Sequence, residues 1–126
     1  MKILLSIKSE YANKIISGEK KYEFRKALPK QRVDSIVLYI TSPQCKVIGE
    51  VQVKGTIVDS VARIWDITKK DAGISHKKYL QYFKNKKAAK AFVLGEVTLY
   101  SEEKILNEFG INSAPQSFVY LKQEKA

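Results

Sequence analysis

The sequence predicts one α+β domain, built as a mixed β-barrel of five to six strands with short helices packed around it. Its 126 residues suit a single domain over positions 1–126, and a hydrophobic content of 44% allows a modest core. Apolar runs typical of strands alternate with short helical patterns in the order β-α-β-β-β-(α-α)-β-α-β. The sequence has no regular βαβα alternation and neither GxGxxG nor GxxxxGK, which excludes Rossmann and P-loop folds.

The first three elements are predicted to be a buried strand, a helix and a short alternating strand. The apolar run Ile3–Ile7 predicts the first strand. Ser9 is the expected N-cap of a helix that ends at Gly18, where a left-handed conformation is favoured. The next strand is expected at Lys21–Arg25, with aromatic side chains on one face and charged side chains on the other.

Two further strands follow. The first is predicted at Ser35–Ile40, and a longer one is predicted at Lys46–Val58. Within the longer strand, Gly49 and Gly55 are candidate bulge positions. Cys45 follows a turn, and we expect it to be buried or half-buried.

The second half of the chain begins with two short helices. Val61–Asp66 predicts the first, and Ser75 is the expected N-cap of the second. In that second helix, the spacing of Tyr79 and Phe83 places both in the core. The remaining expected elements are a strand at Phe92–Tyr100, a helix that starts at Ser101 and ends at Gly110, and a closing strand within Pro115–Leu121.

Composition excludes several kinds of site. A single cysteine and a single histidine, Cys45 and His76, exclude a disulfide within the chain and the usual zinc sites. We expect neither a metal nor another cofactor, and the lone cysteine fits a reducing, cytoplasmic location. No apolar run is long enough for a signal peptide or a membrane span, so no membrane partner is expected.

The positive charge is concentrated in two blocks. The formal net charge is +10, and residues 20–32 carry six Lys or Arg against one Glu. Residues 69–90 carry eight Lys against one Asp, and aromatic residues are interleaved with both blocks. This pattern is typical of a surface that faces phosphate groups, with a lysine-rich but functionless surface as the alternative.

The segment Gly18–Arg25 is the strongest candidate for a site. Gly18 permits a tight exit from the helix, so Lys20 can turn toward a cavity, where burial would depress its pKa. Glu23 and Arg25 are two residues apart and share one strand face. Arg25 offers a planar fork of donors to a phosphate or carboxylate, and Glu23 can accept a hydrogen bond or act as a general base. The alternative is a solvated surface network of little energetic value.

The pattern Gly18-x-Lys20-x-x-Glu23-x-Arg25 resembles the GxKxxExR signature of the ASCH domain family, which is part of the PUA-like superfamily. Ser6-Ile7-Lys8 and Ala114-Pro115-Gln116-Ser117-Phe118 also resemble that family, and the resemblance spans roughly residues 2–121. It implies a PUA-like β-barrel, a cleft lined by the motif residues and a role linked to RNA.

The resemblance also bears on catalysis. One ASCH-like group resembles an amidohydrolase that deacetylates N4-acetylcytidine, using a Lys at the position of Lys20, a Thr at the position of Glu23 and a later Glu. Here a carboxylate replaces the hydroxyl and the later acid has no clear match, since Asp71 is an imperfect substitute. Other ASCH proteins resemble ribonucleases that act on single-stranded RNA. If this chain is an enzyme, Lys20 and Glu23 are therefore the expected catalytic residues.

Further candidates surround the motif. Lys8 and Ser6 are expected on one face beside the motif strand, and Tyr82 is the better stacking candidate of its helix. Gln116 and Ser117 are expected at the mouth of the cleft. The expected nucleic-acid surface comprises Lys21, Lys26, Lys84, Lys86 and Lys87.

Three functions remain open from the sequence. The first is an RNA- or nucleotide-binding domain with a basic Lys-Glu-Arg cleft and a regulatory role in RNA metabolism or transcription, for which DNA is an alternative ligand. The second is a hydrolase that acts on RNA or on a modified nucleoside in the same cleft. The third is a protein-interaction adaptor. The sequence does not predict the oligomeric state.

Overall fold

Six strands form one mixed sheet that curls into a half-barrel, as seen in a computed structural model that describes residues 1–122. The predicted α+β architecture with short helices is confirmed. The strands are β1 (Lys2–Ile7), β2 (Tyr22–Arg25), β3 (Ser35–Ile40), β4 (Lys46–Ser60), β5 (Ala88–Lys104) and β6 (Phe118–Tyr120). The helices are α1 (Ser9–Ser17), α2 (Val61–Thr68) and α3 (His76–Tyr82), with 3-10 turns at Lys69–Asp71 and Leu106–Phe109.

The strand order in the sheet is β2-β5-β4-β3-β1-β6. The β1–β3 pair is parallel, and the other four pairs in this order are antiparallel. Strands β2 and β6 therefore lie at opposite ends of the sheet, and its curvature brings these two ends toward each other around the site.

The sheet is packed on both faces. Helix α1 covers one face with Ala12 and Ile15, over buried residues such as Leu5, Leu38 and Phe92. Helices α2 and α3 cover the other face near β2, where Tyr79 and Phe83 are almost fully buried as predicted. A third cluster lies between β1, β3 and the turn at Leu106–Phe109.

The expected helix from Ser101 is wrong. Strand β5 continues to Lys104, which pairs with Val47 of β4. Residues 101–103, which resemble a helix start, lie between the paired residues Leu99 and Lys104 of this strand, because tertiary pairing overrides a weak local preference. Only the 3-10 turn at Leu106–Phe109 remains, and it ends at Gly110 in a left-handed conformation.

Two smaller expectations are also wrong. Lys8, not Ser9, is the N-cap residue of α1, and no side chain caps this helix. Cys45 is exposed directly after the turn at residues 42–44, with φ of 52°. Other local predictions are confirmed: Ser75 caps α3 by accepting a hydrogen bond from the Lys78 N–H, and pairing irregularities flank Gly49 and Gly55. No helix among residues 1–122 is long and apolar enough to cross a membrane.

Candidate functional site

Lys20 lies at the centre of the site because the end of α1 directs it inward. Gly18 adopts φ of 86° and the Lys20 N–H donates to the Lys14 carbonyl, so the chain turns sharply before β2. The Lys20 side chain is only 3% exposed. Its Nζ donates to the Ala72 carbonyl at 2.8 Å and lies 4.8 Å from the centre of the Phe24 ring.

Glu23 joins the two cationic side chains of the motif. Its Oε1 is 3.8 Å from Lys20 Nζ, and its Oε2 accepts from Arg25 Nε at 3.1 Å and from Arg25 Nη2 at 2.8 Å. The Glu23 side chain is 9% exposed and that of Arg25 is 15% exposed. The three motif side chains therefore form a buried ion cluster and not a solvated surface network.

Arg25 also connects the two ends of the half-barrel. From β2, its Nη2 donates to the Ser6 carbonyl of β1 at 3.1 Å. Its Nη1 is 3.5 Å from the Ser117 Oγ, just before β6. The Arg25 side chain thus connects β2 by hydrogen bonds to β1 and to the segment before β6, with which β2 has no strand pairing.

A cavity of about 600 Å³ opens beside this cluster, between α1, α3 and the ends of β1 and β2. Its charged lining consists of four cationic and two acidic side chains, and Tyr11 and Tyr82 add aromatic surface. A cavity of this volume with convergent polar groups is typical of a small-ligand site. The charged residues are Lys8, Lys20, Arg25, Lys78, Glu10 and Glu23.

The environment of Lys20 makes its protonated form less stable than that of an exposed lysine. Burial lowers the pKa of Lys20 below its usual 10.5, and the nearby charges of Lys14 and Arg25 lower it further. The Glu23 carboxylate raises the pKa of Lys20 and opposes these effects, but the net direction is downward. A buried amine of this kind is a chemically useful group, since it can exchange a proton nearer to neutral pH than an exposed lysine.

The segment 71–73 forms a cradle for Lys20 that the sequence analysis missed. Three lysines hold this segment: Lys14 Nζ donates to the Gly73 carbonyl, Lys20 Nζ to that of Ala72 and the Lys21 N–H to that of Asp71. Gly73 has φ of 64°, and a Cβ at this position would lie 2.5 Å from the Lys20 Cβ. Only glycine therefore fits against the Lys20 side chain here.

Six of the eight predicted ligand-binding residues line this cavity. They are Ser6, Lys8, Lys20, Glu23, Arg25 and Tyr82. Ser117 does not line the cavity but contacts Arg25, and its carbonyl accepts from the Ser6 N–H at 3.0 Å. Gln116 is exposed in the same loop and does not line the cavity.

The predicted surface lysines are all exposed, but only one of them has a described contact with the cavity lining. Lys26 Nζ lies 4.9 Å from the centre of the Tyr82 ring. Lys21 follows Lys20 at the start of β2. The other three, Lys84, Lys86 and Lys87, lie in the turn between α3 and β5.

Sequence reasoning missed several lining residues on the two helices. Tyr11 of α1 is half-buried and lines the cavity. Lys78, Gln81 and Ile74 enter the lining from α3 and the segment before it. The clue for Lys78 was its position four residues before Tyr82, on the same face of α3. Among residues 1–122, no cluster of three or more His, Cys, Asp or Glu side chains could hold a metal ion.

Comparisons with known proteins agree with this architecture. The family model of the ASCH domain matches residues 5–109 of this chain. The crystal structure of ASCH from Zymomonas mobilis superposes with a TM-score of 0.88 at 27% sequence identity, covering 97% of this chain and 88% of that chain. The predicted PUA-like fold is thereby confirmed.

Two curated relatives differ in length and in name. The ASCH domain-containing ribonuclease of Zymomonas mobilis is 29% identical over an alignment of 129 positions, which covers 97% of this chain and 85% of that protein. ATP synthase subunit alpha of Ureaplasma parvum is 36% identical over 121 residues, or 95% of this chain. The chain spans only 15% of the length of that second relative, so the match concerns a small part of it.

Proposed function

The chain belongs to the ASCH domain family, and from this premise we propose that it binds single-stranded RNA in the cavity beside Lys20, Glu23 and Arg25. The observation that carries the proposal is the lining of the cavity, which combines an excess of positive charge with two tyrosines. Positive charge attracts the RNA backbone, and aromatic rings stack on bases without requiring a particular sequence. The relative that is named a ribonuclease supports RNA as the ligand.

Arg25 is the group best placed to receive a phosphate. Its Nε and Nη2 are engaged by Glu23 and Ser6, which fix the plane of the guanidinium. Its Nη1 has only the long 3.5 Å contact with Ser117 among the described residues. A guanidinium carries two N–H groups on this nitrogen, so at least one remains for a phosphate oxygen.

The surface around the cavity supplies the long-range attraction. Lys21, Lys26, Lys84, Lys86 and Lys87 are exposed, and their charges would guide a polyanion toward the site. Lys26 already packs against Tyr82 at the rim. In this proposal these lysines contribute to affinity and to its salt dependence, while the cavity selects the bound nucleotide.

A second candidate function is cleavage of the bound RNA, which the burial of Lys20 favours. In its neutral form Lys20 would take the proton of a ribose 2′-hydroxyl as that oxygen attacks the adjacent phosphorus. The bond from phosphorus to the 5′-oxygen then breaks, and the departing oxygen takes a proton from solvent or from the protonated amine. Arg25 would stabilise the negative charge that develops on the phosphate, and Glu23 would hold both cations in position.

Fluorescence anisotropy with a labelled single strand of about 12 nucleotides tests binding. Arg25→Ala removes hydrogen bonds to a charged ligand, so we expect affinity to fall roughly 10- to 100-fold. Arg63→Ala is the matched control, because Arg63 is exposed on α2, bonds Asp59 and lies outside the cavity. Thermal melting confirms folding, and Arg25→Lys replaces the alanine variant if that variant is unfolded. Equal affinities of wild type, Arg25 variant and control would contradict the proposal.

Denaturing electrophoresis of the same RNA after incubation tests the second candidate. We expect Lys20→Met to abolish the appearance of shorter products while RNA binding persists. An intact RNA after long incubation with wild-type protein, across several sequences, would exclude cleavage and leave binding as the function.

A further inference from the structure

A groove of about 330 Å³ lies at the connection between β2 and β3. The loop 28–33 between β2 and β3 forms one wall, and residues 53–56 of β4 form the other. Phe92, which is 1% exposed, closes the groove toward the core. Its charged lining residues are Lys30, Arg32 and Lys54, and none of the described lining residues is acidic.

The charges of this groove are poorly neutralised within the protein. Among residues 1–122, no carboxylate lies within ion-pair distance of Lys30 or Lys54. Arg32 is 93% exposed on its side chain, and its Nε is 3.9 Å from Asp34, a solvent-exposed pair of little strength. Three cations that line one concave surface attract an anion with several charges.

One row of paired residues in the sheet links the first cavity to the groove. Glu23 in the cavity pairs with Phe92 in the groove, and Phe92 pairs in turn with Thr56 on the groove wall. Paired residues of antiparallel strands project to the same side, and adjacent strands lie about 4.8 Å apart. The backbones of Glu23 at the cavity and Thr56 at the groove are therefore two strand spacings, or roughly 10 Å, apart, a span that a few nucleotides of an extended strand can bridge.

We propose that this groove binds the phosphate backbone of the same RNA strand that occupies the cavity, so that the recognition surface extends over several nucleotides. The inference rests on the proposed function and adds to it a second contact region that the motif does not include. Lys26 lies in the connection between the two, directly after β2, and would contact the strand as it passes. The ligand class is a single-stranded polyribonucleotide, since a mononucleotide in the cavity does not also reach the groove.

The test compares a long and a short ligand on matched variants. The groove variant carries Lys30→Ala, Arg32→Ala and Lys54→Ala. The control variant carries Lys46→Ala, Arg63→Ala and Lys69→Ala, which remove the same charge from exposed positions outside both depressions. Each is titrated with labelled RNA of about 12 nucleotides and with a dinucleotide, at several salt concentrations, after thermal melting confirms the fold.

Loss of three phosphate contacts to a single strand makes the negative slope of log binding constant against log salt concentration shallower by about 2. This corresponds to roughly 100-fold weaker binding near 0.1 M salt. We expect this loss for the long RNA with the groove variant only, and an unchanged affinity of all variants for the dinucleotide. Equal affinities of the groove and control variants for the long RNA overturn the inference and leave the proposed function intact. Failure of wild-type protein to bind either RNA overturns both.

Discussion

Replacing Glu23 by glutamine removes the carboxylate that contacts both Lys20 and Arg25 while it keeps the size of the side chain. Two unit charges at the 3.8 Å separation of Glu23 and Lys20 attract each other by roughly 4 kcal/mol at an effective dielectric constant of about 20. Because all three groups are largely buried, removal of one partner leaves charge in a poorly solvated place. Breaking such a cluster costs about 3–5 kcal/mol, a large part of the stability of an ordinary domain.

Urea denaturation at pH 7 measures this cost as a fall in the free energy of unfolding. We expect Glu23→Gln to lose about 3–5 kcal/mol, and Glu19→Gln, an exposed carboxylate change in the same segment, to lose less than about 0.5 kcal/mol. Adding Lys20→Met to Glu23→Gln should restore part of the lost free energy of unfolding, because the unpaired buried charge of Lys20 is then absent. A loss below about 1 kcal/mol for Glu23→Gln, or strict additivity of the two changes, would refute the ion cluster as described.

Three further outcomes follow from the same geometry. Burial lowers the pKa of Lys20 below its usual 10.5, so over a range of pH below 10.5 the unfolded chain still holds a proton that the native state has lost. The free energy of unfolding of wild type relative to Lys20→Met should therefore rise with pH up to 10.5. A falling or flat difference in urea titrations over this range would contradict the lowered pKa. Gly73→Ala should destabilise the protein more than Gly18→Ala. Both positions have positive φ, but the new Cβ would meet the Lys20 side chain only at Gly73. Equal losses of stability in thermal melts would argue against the cradle. Tyr79→Phe should cost about 1–2 kcal/mol in urea denaturation, since its buried hydroxyl donates to the Val61 carbonyl at 2.7 Å, and a neutral result would refute that bond.

Much of the fold was accessible to sequence reasoning because local signals agreed with the tertiary structure. Gly18 ends α1 and Ser75 caps α3, as the capping patterns predict. The failure at Ser101 has a clear physical cause. The local pattern there resembles a helix start, but the seventeen-residue strand β5 pairs with β4 on both sides of this segment, at Leu99 and Lys104, and such long-range pairing leaves no signature within the segment itself.

The candidate site was predictable where it depends on spacing along one strand and unpredictable where it depends on distant segments. Glu23 and Arg25 meet because residues two apart share a strand face. The carbonyl of Ala72 that receives the Lys20 amine is 52 residues away, and nothing in the motif specifies it. Tyr11 has the spacing of a core residue, but its place at the end of the packed face of α1 leaves it half open to the cavity.

A structure of the protein in complex with a short single-stranded oligoribonucleotide tests the central claim most directly. We expect a phosphate oxygen within hydrogen-bond distance of Arg25 Nη1, and a base or ribose against Tyr11 or Tyr82 in the cavity. RNA bound on another surface, with the cavity beside Lys20 and Glu23 unfilled, would contradict the account.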